Sequence, residues 1–412
     1  MTDSIQLPSS NAFHYRPYVL NLLALCLHGF AAQIMVVAIS WQVYSITNDP
    51  FDLGLIGLSQ FLPSLLLVLI TGLVADRFNR RMIVGACFLL ELAVALGLVW
   101  FTISQQTDVR LVFGLLAFLG LARAFYNPAS DALSPNLLAK EAIPHGISLT
   151  SMNWQITSIV GPVFGGLLYG LGGSVAYVVA AVLIALAIGS VVSIGRVKQE
   201  NHAEETTVAT LLAGFKFIKS EPIVLGAISL DLFAVLLGGA VALMPIYAKD
   251  ILHADELGLG LLRAAPGVGA MVMAAWLAKY GIRDHAGRAM FACVAGFGLF
   301  TVIFGYSTWL PLSILALAMM GVFDMVSVYV RETLMQLWTP DEVRGRVNAV
   351  NRVFIGASNE LGEFRAGVVA SRIGAVSAVA IGGFGTMAVA ALWARMFPGL
   401  RAARRLQTPD SR

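Results

Sequence analysis

Charge is what this sequence has least of. Lysine and arginine number 27, and aspartate and glutamate 24, among 412 residues; charged residues make up 12% of the chain and hydrophobic ones 58%. A soluble domain carries about 25% charged residues, so this composition, with a mean hydropathy of +0.79, excludes a water-soluble fold for most of the chain. Cysteine is scarce too. Cys26, Cys87 and Cys293 lie in apolar stretches without paired spacing, which speaks against a disulfide framework or a metal cluster. The phosphate-cradling Gly-x-x-x-x-Gly-Lys-Ser/Thr run is absent, as is the His-Glu-x-x-His metal motif; no Ser/His/Asp arrangement is apparent either. The expectation is therefore a protein that is not an enzyme and needs no cofactor, metal or built-in ATP motor. A net charge of +3 is what orienting arginines leave in a membrane protein, so nucleic acid is not an expected partner. The first fifteen residues are polar and lack a basic flank, and the first apolar stretch reads as an uncleaved span.

Long apolar runs are abundant. They fall at about 17–45, 52–74, 82–104, 111–135, 146–171, 173–195, 222–248, 256–279, 288–306, 309–333, 346–371 and 375–396, each near the 20 or so residues that cross a bilayer. Turn and charge signals separate them, such as Asn48-Asp49-Pro50, Gly172-Gly173 and Thr339-Pro340-Asp341. Twelve spans place both termini in the cytoplasm of a bacterial inner membrane, because only Arg110, Lys249 and Arg372 then fall in outer segments. The polar stretch 196–221 divides the spans six and six. Its second part, Leu211 to Lys219, has apolar residues on one helical face with lysines nearby; an interfacial helix and a solvated linker helix both fit. The expected organisation is a six-helix bundle over 1–195, a cytoplasmic linker with an amphipathic helix over 196–221, a second six-helix bundle over 222–396 and a cytoplasmic tail over 397–412.

Three segments carry mechanism. Gly72-Leu73-Val74-Ala75-Asp76-Arg77-Phe78-Asn79-Arg80-Arg81 lies between the second and third spans. Gly72 permits close helix approach, Asp76 suits the positive end of a neighbouring helix, and Arg77, Arg80 and Arg81 suit carboxylates or lipid phosphates. Ordinary positive-inside anchoring is the simpler use of those arginines. The counterpart in the second half, Ala275 to Tyr280, has Lys279 where an acid should fall. In the fifth span, Gly161-Pro162-Val163-Phe164-Gly165-Gly166 combines small residues that let helices approach with a proline that permits a bend. The eleventh span is the most polar, and Asn348, Arg352, Asn359 and Glu363 fall near one helical face with Glu360 beside it. That stripe is expected to line an aqueous cavity, whereas Arg365 projects almost opposite. Merely binding helices together is the competing role for each of these charges.

Other ionisable residues inside spans are His28, Glu91, Arg123, Asp231, Asp324 and Arg331. Arg123 stands about half-way through the fourth span, with Asn127 and Asp131 following on a similar face. A charge at that depth must face protein or water. Structural pairing with a carboxylate is the alternative to a transport role. The unperturbed range of histidine suits a proton carrier, although a lone histidine such as His28 more often only makes a hydrogen bond.

The Gly72 to Arg81 loop resembles the signature of the major facilitator superfamily, Arg123 is similar to the buried arginine of its fourth helix, and Gly161 to Gly166 resembles the fifth-helix motif of its antiporters. The family's glycine four residues before Gly161 is replaced by Thr157. Leu212 to Phe215 and Thr339 to Asn348 resemble the enterobactin-exporter branch, which includes siderophore exporters and some macrolide efflux proteins. The resemblance implies an all-α membrane protein of twelve transmembrane helices in two six-helix bundles, with inverted 3+3 repeats in each half. It implies alternating access and a conformational latch at Gly72, Asp76, Arg77, Arg80 and Arg81. It places the first, fourth, seventh and tenth helices on the cavity, adding weight to His28, Asp231 and Asp324 and ranking Glu91 lower. Asp231, Asp324, Glu360 and Glu363 are the expected carboxylates for proton coupling, with Arg123 and Arg352 tuning them or meeting an anionic cargo. Proton-coupled export of a small amphipathic molecule such as a siderophore is the leading expectation. The alternatives are a multidrug or macrolide efflux pump and a non-transporting receptor or assembly partner. One chain holds both halves, so a monomer in the lipid bilayer suffices.

Overall fold

The computed structural model describes residues 10–195, 208–282 and 284–403; the side chains of Leu69, Asp76 and residues 208–211 also fall outside the description. The expected linker residues 196–207 and most of the expected tail therefore lie outside the described residues. Among the described residues there are helices and no strand. Hydrocarbon offers backbone amides and carbonyls no water, so a spanning chain must satisfy them within its own helices.

The long helices are α1 (Arg16–Thr47), α2 (Pro50–Arg77), α3 (Arg80–Ile103), α4 (Arg110–Asn136), α5 (Ile143–Leu171) and α6 (Gly173–Val192). An amphipathic α7 (Val208–Ser220) leads into α8 (Pro222–Gly238), α9 (Glu256–Tyr280), α10 (Ala286–Tyr306), α11 (Leu310–Trp338), α12 (Asp341–Ile373), α13 (Ala375–Met396) and the short α14 (Pro398–Ala402). Among the described residues, ten helical segments are long and apolar enough to cross a membrane. α5 and α12, at 29 and 33 residues, are as long but not among them, and α12 is the markedly polar one. The expected turn after α1 forms where Asn48 adopts a left-handed φ of 49°, which asparagine tolerates, and the Asp49 carboxylate accepts from the Phe51 amide at 2.9 Å. Asn79 caps α3 by accepting from the Arg81 amide at 3.1 Å.

The seventh apolar stretch is not one helix. α8 stops at Gly238, and the chain continues through short turns into a π-helical turn at Tyr247–Ile251. The break falls where α12 passes: a Cβ at Gly239 would stand 2.9 Å from the Gly362 carbonyl. Periodicity reports apolarity, and it has no means of showing a neighbouring backbone.

Contacts group the chain into two compact units, Met1–Ala38 with Leu62–Glu205, and Ile39–Phe61 with Thr206–Arg412. In the first unit α3 packs on α4 and α6, around Phe88, Leu98, Phe101, Leu116 and Leu119, all almost fully buried. The Tyr18 hydroxyl ties α1 to α5 by donating to the Gly146 carbonyl at 2.7 Å. In the second unit α10 packs on α11 and α13, and α9 on α11; Leu230, Met290, Phe291, Val330 and Leu334 form the centre of one core. This unit includes the tip of the α1–α2 hairpin, where Phe51 meets the Phe364 ring edge-on at 6.0 Å and the Tyr44 hydroxyl donates to the Asp250 carboxylate. α7 docks on α12 through Gly214 and the buried Ile218, while Leu212, Phe215, Lys216 and Lys219 stay exposed.

Two glycines set a very close crossing of α9 and α11. A Cβ on Gly269 of α9 would lie 1.8 Å from the Ala318 carbonyl oxygen of α11, and one on Gly321 of α11 would lie 1.9 Å from the Pro266 oxygen of α9. Small residues of this kind let helix backbones approach where lipid supplies no hydrophobic drive. Gly269→Ala and Gly321→Ala should each force the pair apart and cost about 1–3 kcal/mol, read as a lower thermal midpoint of the detergent-solubilised protein. Gly85→Ala, which meets nothing within 4 Å, should leave the midpoint unchanged.

Candidate functional site

The Gly72 to Arg81 segment closes α2 and opens α3. Arg80 is only 5% exposed; its Nε donates to the Ala75 carbonyl at 3.4 Å and its Nη1 to the Ala132 carbonyl, near the end of α4, at 3.5 Å. Arg81 donates to the Gly195 carbonyl just beyond α6. These carbonyls near helix ends lack intrahelical donors or carry partial negative charge, which suits a guanidinium. Arg77 is exposed and Gly72 half-buried. The Asp76 side chain lies outside the described residues.

The fifth-span motif faces α1. A Cβ on Gly161 would fall 2.6 Å from Gln33 Cβ, and one on Gly165 3.0 Å from Val37 Cβ and 3.1 Å from Ile34 Cα. Pro162 and Gly166 are buried beside them. Thr157, which stands where the family pattern has glycine, meets Gly29 of α1, whose added Cβ would be 2.9 Å from the Thr157 methyl. The missing glycine is supplied by the facing helix.

Also in the first unit, His28 of α1 meets Glu91 of α3, with Nε2 2.9 Å from Oε2. Glu91 is 1% exposed. The imidazole is flanked by Phe88 and Tyr126, with ring centroids at 4.9 and 4.5 Å. Arg123, one turn before Tyr126 on α4, is half-buried and has no ion-pair partner among the described residues, so the expected alternative of a structural carboxylate pair is not formed. Asn127 and Asp131 are exposed on the same helix.

In the second unit Arg331 of α11 forms an ion pair with Asp231 of α8; these residues are 3% and 7% exposed. Arg331 Nε also lies 3.7 Å from Glu332, whose Oε1 accepts from Asn351 of α12 at 3.3 Å. Asp324, two turns before Arg331, has no cation beside it among the described residues. It lines a cavity with Asp231, Ser327, Phe297 and Phe323. One carboxylate is thus held by arginine, while its neighbour has no cation beside it among the described residues.

On α12, Glu360 and Glu363 turn toward α2, where Gly57 makes room: its added Cβ would be 2.7 Å from Glu360 Oε2 and 3.5 Å from Glu363 Oε2. Arg263 of α9 stands within Coulombic reach of Glu363. Arg352 and Asn359 are exposed, and Asn359 donates to the Ile355 carbonyl at 2.8 Å. Arg365 leaves this stripe, as its helical angle requires, and donates to the Leu237 carbonyl of α8. Sequence reasoning did not single out Arg263, Glu332 or Tyr126, and it placed Glu91 below His28 without seeing them as a pair. Arg263 carried the same signal as Arg123, an arginine inside an apolar run; the contact partners of the others carried none.

His28, Glu91, Asp231 and Arg331 are charges or titratable groups sheltered in pairs inside long apolar helices, and Asp324 lines a cavity; such groups mark a membrane transport protein, and the fold agrees. Solved structures of the nucleoside transporter NupG (TM-score 0.69, 15% identity, 93% of this chain and 98% of that one), a POT family transporter in complex with 5-aminolevulinic acid (0.73, 12%, 96% and 99%) and a bacterial homologue of the iron transporter ferroportin in the inward-facing state (0.69, 16%, 94% and 99%) are similar in fold. A family model described as transmembrane secretion effector matches residues 20–407. The chain belongs to that family of the major facilitator superfamily; it is a multi-pass membrane transporter and not an enzyme. Among its relatives, the enterobactin exporter EntS of Shigella boydii serotype 18 is 24% identical over 385 residues, 91% of this chain and 90% of that protein. EntS of Citrobacter koseri is 24% identical over 380 residues, covering 90% and 89%.

The Asp231–Arg331 pair yields a stability prediction. Asp231→Leu should strand a buried guanidinium and cost about 3–5 kcal/mol, measured by denaturation in detergent. Asp231→Leu combined with Arg331→Met should recover most of that loss, because both charges are removed together.

Proposed function

We propose that this protein exports a small amphipathic molecule, most plainly a siderophore, from the cytoplasm across a bacterial inner membrane in exchange for protons. The observation that carries the reading is the likeness to the enterobactin exporters over about nine-tenths of both chains. Arg123 supports an anionic cargo: a half-buried guanidinium without an ion-pair partner among the described residues favours a ligand that brings negative charge, and catecholate or hydroxycarboxylate groups bring it. That favours a siderophore over a cationic drug.

The chain works by alternating access, opening a site near the membrane midplane first to one side and then to the other. Twelve spans in two six-helix bundles of inverted 3+3 repeats, with both termini cytoplasmic, are the arrangement this requires, counting α5 and α12 as spans. Gly72, Asp76, Arg77, Arg80 and Arg81 form the latch, and Gly161, Pro162, Gly165 and Gly166 let α5 bend against α1. Arg123 and Arg352 meet the cargo or tune the acids. Asp324 is the foremost coupling carboxylate. It can take up a proton without breaking an ion pair, whereas Asp231 is held by Arg331; Glu360 and Glu363 form the second acidic group. A monomer performs the cycle.

Purified protein in liposomes, supplied with a catecholate siderophore, should exchange it in a way that changes lumenal pH. Asp324→Asn should keep siderophore exchange and lose its acceleration by a pH gradient. Flux wholly insensitive to a proton gradient would overturn antiport, and absence of siderophore flux with retained movement of another amphipathic compound would overturn the cargo.

A further inference from the structure

We infer that the His28–Glu91 pair is a one-proton binding site in the first unit, separate from the carboxylates of the second. This rests on the reading of the chain as a proton-coupled exporter and adds a site to it. The geometry is specific. Nε2 of His28 lies 2.9 Å from Oε2 of Glu91, with side-chain exposures of 13% and 1%. Both Glu91 oxygens are shut off from solvent and have no further hydrogen-bond partner. Phe88 and Tyr126 flank the ring, and no lysine or arginine lies within ion-pair distance of Glu91 among the described residues.

A lone carboxylate in that setting is very costly. The pair avoids the cost with a single proton, held either as imidazolium beside carboxylate or as imidazole beside carboxylic acid. Both forms are neutral overall and differ only in the position of the proton along the Nε2–Oε2 contact. Losing the proton leaves one uncompensated negative charge among Phe88, Tyr126 and the walls of α1, α3 and α4. Release is therefore favourable only when water reaches the pair, and this links protonation to the opening of the unit.

The surrounding titratable groups do not offer an alternative neutraliser. From α3, Cys87 lies within Coulombic reach of Glu91. From α4, Tyr126 feels Glu91, Cys87 and Asp131, and its hydroxyl is bonded to Ser130. α6, packed on α3, contributes the buried Tyr177, and α5 meets this stretch of α1 through Thr157 against Gly29. Arg123 of α4, one turn before Tyr126, is positive but forms no ion pair with Glu91 among the described residues, and the other groups named are neutral or acidic. The two residues therefore share one proton as a unit.

Proton binding can be counted on the purified full-length protein in detergent with a pH dye, without any transported substrate. Titrated in parallel across neutral pH, His28→Gln, Glu91→Gln and the double variant should each take up one proton fewer than the wild type. All three losses should be equal, because either group left alone in an apolar site stays neutral. Glu91→Asp should restore the count. A count unchanged in the variants, or a double variant that loses twice what each single loses, would overturn the pair as a single site. Should the variants not fold, the His28 nitrogen and Glu91 carboxyl resonances of the wild type decide together. No change of state in either group across the titration overturns the assignment, and a change in one of them supports it. Siderophore exchange by wild-type protein in liposomes, run alongside, separates the two readings. Failed exchange with a lost proton removes the cargo and keeps the pair, whereas proton-driven exchange with no lost proton does the reverse.

Discussion

A charge in hydrocarbon must be paired, be neutralised or face water, and that constraint organises this protein more than any other. The chain spends few charges inside its spans, and the structure shows three answers to the constraint. Arg331 holds Asp231 in a buried ion pair. His28 and Glu91 can share one proton between two groups. Asp324 lines a cavity. A locked ion pair cannot change charge without being broken, whereas the other two arrangements carry no such restriction.

Packing follows the same logic for uncharged groups. Between lipid-embedded helices there is no hydrophobic drive, so contact depends on how closely backbones can approach. Gly269 and Gly321 bring α9 and α11 within reach of each other's carbonyls, and Gly161 and Gly165 do this for α5 and α1. Thr157 shows how the requirement can be met from either side. It breaks the family pattern on its own helix, yet Gly29 opposite gives it space. A glycine motif on one helix is therefore half of a contact, and for Gly161 and Gly165 the other half is set by residues more than a hundred positions away.

Much of the fold was legible in the sequence, since helix existence in a membrane follows from apolar length alone. The turns at Asn48 and Asn79 formed where polar and helix-capping residues interrupt the runs. The seventh stretch was the exception: apolarity continued through Gly239 while the helix did not, because α12 passes there. The amphipathic stretch before α8 read equally well as interfacial or solvated, and in the structure one face of α7 is docked on α12. Arg365 was legible from helical angle, since its direction is fixed by its own backbone.

The sequence by itself determined that this chain lives in a membrane, roughly where it crosses, and which superfamily its loops resemble, because those depend on composition and local spacing. Only the tertiary structure decided which charges are partners. Asp231 with Arg331 and His28 with Glu91 join different helices, and a pairing across helices depends on their packing rather than on sequence distance. Glu91 is the clearest case: on its own helix it is a single acid in an apolar run, and beside His28 it becomes half of a site that can hold a proton.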